Sequence, residues 1–444
     1  MVPTGTETEV LDLTDHLVLP GLINAHSHSY GTLLKGRGDG LPLEPWMYYA
    51  MLVGRFTPDE LRLAATLQVM ECLQTGCTAF VDHLAREYAG VEVVLKVYSQ
   101  AGVRAVVAPM ISDRRYDESL AFGPGELTPE EAHAFARRPA RPARDLLAEC
   151  EALIRAWQGH AGRLSIMLGP SGPQRASDTL LSGCAALAAQ YGVGIHTHLL
   201  ETRRQAEAAR RLYGEPMVVH LARLGFLTPH TSFAHGVWLT QPEIELLAQY
   251  GCSVVHNPGS NLALGSGIAP LAQLRAAGVN VALGTDGSNC GGSQSLWRSL
   301  RLAALLPRVS TPDCSAWPDP AAALSMATIG GAQALGIREQ VGALAPGQAA
   351  DLVAINLQRT AYQPLLSPLV QLVYGEDGSG IDLVMVDGRI LFDHGRFTTI
   401  DAEAVLAEAG RLRTHLIQLE ANWLDEVRLE YRATLRGRVS TCLS

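Results

Sequence analysis

Several patterns that would assign a chain to a membrane or nucleic-acid class are scarce or absent in these 444 residues. No segment approaches the roughly 18 consecutive apolar residues that a membrane-spanning helix needs, so no membrane partner is expected. The formal charge is −9, and the one basic run, residues 137–144, is interrupted by prolines. Because phosphate binding needs clustered cationic surface, nucleic acid is not expected as a partner either.

Cysteine spacing and the N-terminal sequence bear on the compartment. The eight cysteines include no pair at CxxC spacing, which in a chain of this length is typical of reduced thiols. The N-terminus lacks the basic segment followed by an apolar segment that marks a signal peptide. These features predict a cytoplasmic protein.

The chain is 47% hydrophobic and 18% charged, as expected for a globular protein with a large core. Short apolar runs alternate with longer amphipathic segments, such as residues 57–75, 143–157 and 241–249, which is the pattern of repeated βα units. Eight strands are predicted, the number that a closed parallel barrel requires, so the predicted fold is α/β, a (β/α)8 TIM-type barrel. The strands are residues 17–24, 79–82, 105–109, 164–169, 194–198, 231–235, 253–256 and 279–284.

The pattern changes after about residue 340. Residues 342–355 and 381–397 alternate apolar and polar positions around glycine-containing turns, which indicates antiparallel strands, and helical periodicity returns from residue 401. We therefore predict an N-terminal β segment at 1–16, the barrel at 17–340, a small β domain at 341–400 and a C-terminal helical tail at 401–444.

The strongest chemical feature is the pair His26 and His28, which directly follows the apolar run VLPGLINA. Residues i and i+2 of a strand point to the same side, so both imidazoles face one space. At the carboxyl end of the first barrel strand, that space is the mouth where such folds place catalysis. Taken alone, the pair is equally explained as two buried, hydrogen-bonded histidines.

Further polar residues fall at the ends of other predicted strands. His198 ends the fifth strand and is followed by Glu201, His235 ends the sixth, and Asp286 follows the eighth. Each could separately be a satisfied core histidine or a helix-capping aspartate. Together at one barrel mouth they form a nitrogen and oxygen donor set suited to Zn²⁺ or Fe²⁺.

The segments PGLINAHSH, HTHLLET, FAHG, HNPGSN and LGTDG resemble signature segments of the amidohydrolase superfamily. They most resemble its branch of cytosine, guanine, 8-oxoguanine, pterin and methylthioadenosine deaminases and s-triazine hydrolases, and the likeness covers nearly the whole chain. The resemblance implies four metal ligands, a proton shuttle at Glu201, a polarising histidine at His235 and a base at Asp286, which is also a ligand. The implied ligands are His26, His28, His198 and Asp286.

Two departures from the family pattern are informative. Binuclear relatives bridge their metals with a carboxylated lysine after the fourth strand, but the only lysines here, Lys35 and Lys96, lie elsewhere. We therefore expect one divalent metal per chain, with Zn²⁺ favoured over Fe²⁺. Relatives also carry about fifty residues before the HxH strand, so the small β-sandwich is predicted to be shortened at its N-terminus, with an exposed sheet edge that a homodimer or the C-terminal helix would cover.

Candidate substrate contacts are less specific, because each has a structural alternative. Gln174 could read a ring edge or cap a turn, and Trp46 could stack on a flat heterocycle or pack a helix. The loop residues His83 and Arg86 could bind polar groups or be solvated. Asn257 is placed near the leaving group, in a structured turn.

These observations predict a metal-dependent hydrolase acting on carbon–nitrogen bonds other than peptide bonds. The small-molecule substrate would be an aminated N-heteroaromatic ring of the purine, pterin, pyrimidine or triazine type, attacked by activated water with release of ammonia. The same residues could instead remove an alkylamine or halide from an s-triazine, or cleave an amide or urea bond. An inactive structural relative is the more distant alternative, and the presence of all six key positions argues against it.

Overall fold

A computed structural model of the protein describes residues 10–436. The predicted N-terminal β segment and the predicted C-terminal tail therefore lie partly outside the described residues, at 1–9 and 437–444. The strands are β1 His16–Pro20, β2 Leu22–His28, β3 Cys77–Leu84, β4 Arg104–Ile111, β5 Leu164–Ile166, β6 Gly169–Pro170, β7 Ile195–Leu199, β8 Thr231–His235, β9 Ser253–His256, β10 Asn280–Leu283, β11 Asp286–Gly287, β12 Leu352–Asn356, β13 Ile381–Val386, β14 Arg389–Asp393 and β15 Arg396–Phe397.

Helices separate most of the strands, and those predicted from the amphipathic segments lie within one residue of their predicted bounds. They are α1 Leu43–Ala50, α2 Pro58–Gln74, α3 Tyr88–Ala101, α4 Tyr116–Ser119, α5 Pro129–Ala136, α6 Ala143–Trp157, α7 Asp178–Tyr191, α8 Arg203–Tyr213, α9 Met217–Arg223, α10 Gln241–Gln249, α11 Pro258–Ala263, α12 Leu271–Ala276, α13 Leu296–Leu305, α14 Pro307–Ser310, α15 Pro320–Met326, α16 Ile329–Ala334, α17 Pro368–Gly375, α18 Ala402–Glu426 and α19 Arg428–Arg436. None of the helices within residues 10–436 is long and apolar enough to cross a membrane.

The central strands close into a parallel barrel, which confirms the predicted fold class. β2 to β5 are parallel neighbours, and so are β7 to β10. The two arcs join at both ends: Leu168 bridges in parallel to Ile195, and β11, which follows β10, pairs with β2 through Asp286 and Ser27. All the carboxyl ends of the strands therefore meet at one mouth.

The predicted first barrel strand, residues 17–24, is wrong in its bounds. The structure divides this run at Gly21: β1 pairs antiparallel with β12 in the small sheet, and only β2 enters the barrel. Gly21 lies at the break, and an added Cβ there would lie 2.0 Å from Oγ1 of Thr78, so the position has no room for a side chain. The small antiparallel sheet has the order β1-β12-β13-β14-β15.

The C-terminal tail is helical, as predicted, and packs on the barrel. Val405 of α18 packs with Leu63 and Met70 of α2. Further along, the indole of Trp423 donates a 2.9 Å hydrogen bond to the carbonyl of Tyr48. Helix α19 contacts α1 and α5. The tail thus braces α1, which carries part of the pocket described below.

A buried ion pair ties the barrel to the small sheet. Arg104 of β4 binds Asp351 through two hydrogen bonds, Nε to Oδ2 at 2.9 Å and Nη2 to Oδ1 at 3.0 Å. The backbone N–H of Asp387, in the β13–β14 turn, also donates to Oδ1 at 2.8 Å. Both side chains of the pair are almost fully buried.

We expect Asp351→Asn to destabilise the protein by about 3–5 kcal/mol, because it leaves the Arg104 charge buried without its anion. Urea unfolding followed by circular dichroism measures the effect. Asp387→Asn is the matched control. The Asp387 carboxylate, which is 45% exposed, forms an ion pair with Arg163, and its removal should lower the free energy of unfolding by less than about 1 kcal/mol. Equal stability of Asp351→Asn and the unmodified protein would contradict this account.

Candidate active site

Four strand ends bring the predicted catalytic residues to the barrel mouth. His26 and His28 lie at the end of β2, His198 lies in β7, and His235 ends β8. Asp286 begins β11. The side chains converge because the strands are parallel and neighbouring: the ring centres of His26 and His198 are 5.0 Å apart.

Hydrogen bonds behind the imidazoles fix their orientation. Nδ1 of His28 donates to the carbonyl of His83 at 2.5 Å, and Nδ1 of His198 donates to the carbonyl of Ser171 at 2.5 Å. Because a carbonyl only accepts, both rings carry their proton on Nδ1, and Nε2 presents a lone pair to the shared space. Nδ1 of His26 is 2.8 Å from Nε2 of His196, which supports it from behind.

The spacing of the front atoms fits a bound metal ion. Nε2 of His28 lies 3.3 Å from Nε2 of His198 and 3.3 Å from Oδ1 of Asp286. Ligands bound at about 2.0–2.1 Å to one tetrahedral ion are roughly 3.4 Å apart. Nε2 of His26 lies 3.7 Å from Oδ1 of Asp286 and is buried without a hydrogen-bond partner, an arrangement that a cation would satisfy.

Burial and mutual repulsion keep the imidazoles in the form that binds metal. Burial, together with the neighbouring imidazoles, lowers the pKa of His26 and of His198 well below the usual value for histidine. Both are therefore neutral near pH 7, as metal ligands must be.

His235 and Glu201 lie on the pocket side of this cluster. Nδ1 of His235 contacts Oδ1 of Asn261 at 2.8 Å, while Nε2 lies 3.7 Å from Oε2 of Glu201 and 3.8 Å from Oδ2 of Asp286. Burial, then the nearby Asp286 and Glu44 carboxylates, raises the pKa of Glu201 well above its usual value. A raised pKa favours the protonated carboxyl group, which is the form that can donate a proton.

A concave pocket opens directly onto the cluster. Glu201, His235 and Asp286 line it together with two of the predicted substrate contacts, Gln174 and Trp46. Both contacts are almost fully buried.

The other three predicted contacts do not reach the pocket lining. His83 is fully buried, its ring stacks on His198 with centres 4.8 Å apart, and it supports the cluster from the side. Asn257 is fully buried and donates to the carbonyl of Val255 at 3.3 Å. Arg86 donates hydrogen bonds to the carbonyls of Val53 and Phe56 at 2.8 and 3.1 Å. Its guanidinium therefore holds the segment after α1 in place.

Several pocket-lining residues were not predicted from the sequence, among them Tyr30, Glu44, Arg175 and Arg204. Arg175 directly follows Gln174 and Arg204 follows Glu201 by three residues, so proximity to predicted residues was an available signal for both. Glu44 is on α1, and its Oε1 accepts a 2.6 Å hydrogen bond from Thr202. No local pattern marked it.

Comparison with known proteins places the chain among metal-dependent hydrolases. The sequence model described as the amidohydrolase family matches residues 17–391. The chain is 33% identical over 419 residues to a 5-methylthioadenosine/S-adenosylhomocysteine deaminase of Syntrophomonas wolfei, covering 94% of this chain and 90% of that one. It is 34% identical to a 5′-deoxyadenosine deaminase of Methanothermobacter thermautotrophicus, covering 91% and 89%.

Solved structures give a consistent result. An adenosine deaminase from Xanthomonas campestris with bound zinc superposes with a TM-score of 0.81 at 30% identity, covering 91% of this chain and 87% of that one. A mutant atrazine chlorohydrolase from Arthrobacter aurescens, complexed with zinc and atraton, superposes with a TM-score of 0.81 at 26% identity, covering 90% and 88%.

Proposed function

We propose that this chain, which belongs to the amidohydrolase family, is a metal-dependent hydrolytic deaminase that releases ammonia from the amino-substituted ring of an adenosine-type compound. The observation that carries the proposal is the convergence of the imidazoles of His26, His28 and His198 and the carboxylate of Asp286 beneath a pocket that also contains Glu201 and His235. The names of the related deaminases support the adenosine-type ring.

The donor set is that of a single zinc site, with His26, His28, His198 and Asp286 as the proposed ligands. When bound, a divalent zinc ion supplies the acidity that makes a water molecule nucleophilic near neutral pH. Gln174 and Ser171, which follow the fourth barrel strand, offer no carboxylate for bridging a second ion. Zinc in the solved relatives supports the choice of metal.

The remaining residues are assigned to proton handling. Asp286 accepts a proton through Oδ2, the oxygen that faces His235. His235 hydrogen-bonds the nucleophile and fixes its direction of attack on the ring carbon, with its own ring held by Asn261. Glu201 donates a proton to a ring nitrogen, since its raised pKa favours the protonated form, and recovers a proton from the hydroxyl group added to the ring carbon. The leaving amine takes the proton that Asp286 accepted from the water and departs as ammonia.

Pocket side chains would hold the ring in position. Gln174 offers both a donor and an acceptor to the heterocycle edge, and Trp46 offers a flat apolar face. His83 and Asn257 act behind the site, where they position the cluster and do not touch substrate. Arg86 has no role in substrate binding under this proposal.

Removal of a different leaving group is the second candidate. The atrazine chlorohydrolase relative superposes as closely as the adenosine deaminase, and the same cluster would serve either reaction. An s-triazine carrying an alkylamine or chloride therefore belongs in the test.

The test is release of ammonia by zinc-loaded protein from adenosine, 5′-deoxyadenosine, 5′-methylthioadenosine, guanine, cytosine and an amino-triazine, with chloride release followed for atrazine. We expect ammonia from at least one adenosine-type compound and its loss after chelation, restored by added zinc. Chelator-sensitive release of chloride from atrazine, without ammonia from any amino-substituted ring, would select the second candidate. Absence of both products from stoichiometrically loaded protein would contradict the proposal.

Homodimer formation and a cytoplasmic location remain predictions. Sedimentation of the full chain measures the first.

A further inference from the structure

Two arginines face the pocket without an internal counter-ion. Arg175, in the 3-10 helix Pro173–Arg175, and Arg204, at the start of α8, both line it. Within residues 10–436, neither guanidinium forms an ion pair, and the Nε atoms of both are buried without a hydrogen-bond partner. By contrast, the buried Arg104 is fully paired with Asp351.

Aromatic rings hold the two guanidinium groups in place. The guanidinium carbon of Arg175 lies 5.4 Å from the ring centre of Tyr116, and that of Arg204 lies 4.6 Å from the ring centre of Phe122. Contacts with a ring face orient the planar group but leave its N–H donors free. These donors are therefore available to a ligand in the pocket.

The charge balance of the pocket favours an anionic ligand. Arginine stays protonated under all ordinary conditions, and a desolvated cation without a partner is unfavourable. Outside the catalytic cluster, the pocket lining contains these two cations and one carboxylate, Glu44, whose Oε1 already accepts from Thr202. A proposed divalent ion would add further positive charge.

The position of Arg204 indicates which part of the substrate meets the charge. Arg204 borders both the inner pocket and an adjoining outer groove, together with Glu44, Leu120 and Leu264. A ring seated on the catalytic cluster would therefore direct its substituent past the arginines toward that groove.

We propose that Arg175 and Arg204 bind an anionic oxygen group, a carboxylate or a phosphate, carried on the substituent of the ring that is deaminated. The proposal rests on the proposed function for the identity of the ring. It makes the two arginines specificity determinants that favour charged over neutral adenosine-type compounds.

The test compares three compounds with the same ring: 5′-deoxyadenosine, which has no charged group, S-adenosylhomocysteine, whose zwitterionic amino-acid end presents a carboxylate beside an ammonium, and adenosine 5′-monophosphate, which carries a phosphate. Binding to zinc-loaded protein is measured by calorimetry, and KM and kcat by ammonia release. We expect the protein to bind at least one of the two compounds that carry an anionic oxygen group more tightly than 5′-deoxyadenosine. Arg175→Gln and Arg204→Gln should each reduce that preference roughly 10- to 100-fold, mainly through KM, as expected for charge-assisted hydrogen bonds.

Two variants sharpen the result. Arg210→Gln removes an exposed cation from the same helix as Arg204 and should leave the preference unchanged. Arg175→Lys retains the charge and should restore part of the lost preference. A larger loss of affinity for S-adenosylhomocysteine in the Arg→Gln variants identifies a carboxylate site, and a larger loss for adenosine 5′-monophosphate identifies a phosphate site.

The outcomes separate this inference from the proposed function. Deamination of 5′-deoxyadenosine with no tighter binding of either anion would overturn the anion site and leave the deaminase proposal standing. So would arginine variants that weaken all three compounds equally. Tight, arginine-dependent binding of an anion without ammonia release would support the anion site and count against the deaminase.

Discussion

Glu201→Gln is expected to retain its zinc and to release ammonia at least about 100-fold more slowly than the unmodified enzyme. The substitution preserves the shape of the side chain and removes only its ability to exchange a proton. Oε1 of Glu201 accepts a 3.4 Å hydrogen bond from Ser266, and Oε2 is the oxygen that approaches His235. Steady-state kinetics, with zinc measured by atomic absorption on the same sample, gives both quantities.

Glu207→Gln is the control for the loss of one negative charge. Glu207 lies on α8 and pairs with Arg203 in a largely exposed ion pair, so its neutralisation should leave the rate close to normal. Full activity of Glu201→Gln would refute the proton-shuttle role. Loss of zinc from this variant would instead place Glu201 among the metal ligands.

His198→Ala should abolish ammonia release and reduce bound zinc well below one ion per chain. The substitution removes a nitrogen that lies 3.3 Å from that of His28, so the remaining donors can no longer surround the ion. Zinc content after exhaustive dialysis, together with activity at saturating zinc, measures both consequences.

His220→Ala provides a matched loss of a buried imidazole. His220 is buried, stacks on Tyr213 and contacts Asp178 and Glu215, away from the pocket, so this variant should keep its zinc. A second cluster of imidazoles, His26, His83 and His196, offers another arrangement of donors. Zinc retained in His198→Ala and lost in His83→Ala would move the ion to that deeper cluster.

The convergence of the cluster could be predicted because it depends on rules that act along the chain. The period-2 geometry of strands sets His26 and His28 on one side, and parallel closure brings His198, His235 and Asp286 to the same mouth. The structure places all five together, and the family resemblance is confirmed by the match over residues 17–391. The individual ligand roles stay predictions until metal is measured.

The loop residues could not be predicted in the same way, because the direction of a loop side chain depends on distant packing. Arg86 follows a barrel strand, yet its guanidinium turns to the carbonyls of Val53 and Phe56. Glu44 lies on a helix that the tail supports through Trp423 and Tyr48, which are 375 residues apart in the chain. The bounds of the first strand could not be predicted for a related reason. Its apolar run contributes to two different sheets, and the close packing at Gly21, between the two strands, depends on residues distant in the chain.

Two of the residues at the barrel mouth adopt left-handed backbone conformations. His235 has φ of 76° and Asp286 has φ of 63°, a region that costs a non-glycine residue on the order of 1–2 kcal/mol. The barrel therefore sustains a local energetic penalty at the positions that carry the chemistry. Evolution or laboratory selection of a new substrate range has little freedom there, since most replacements would lose the reaction while keeping the penalty. New specificities should instead arise in the loops around Gln174, Arg175 and Arg204, where side chains can change without altering the strained strand ends.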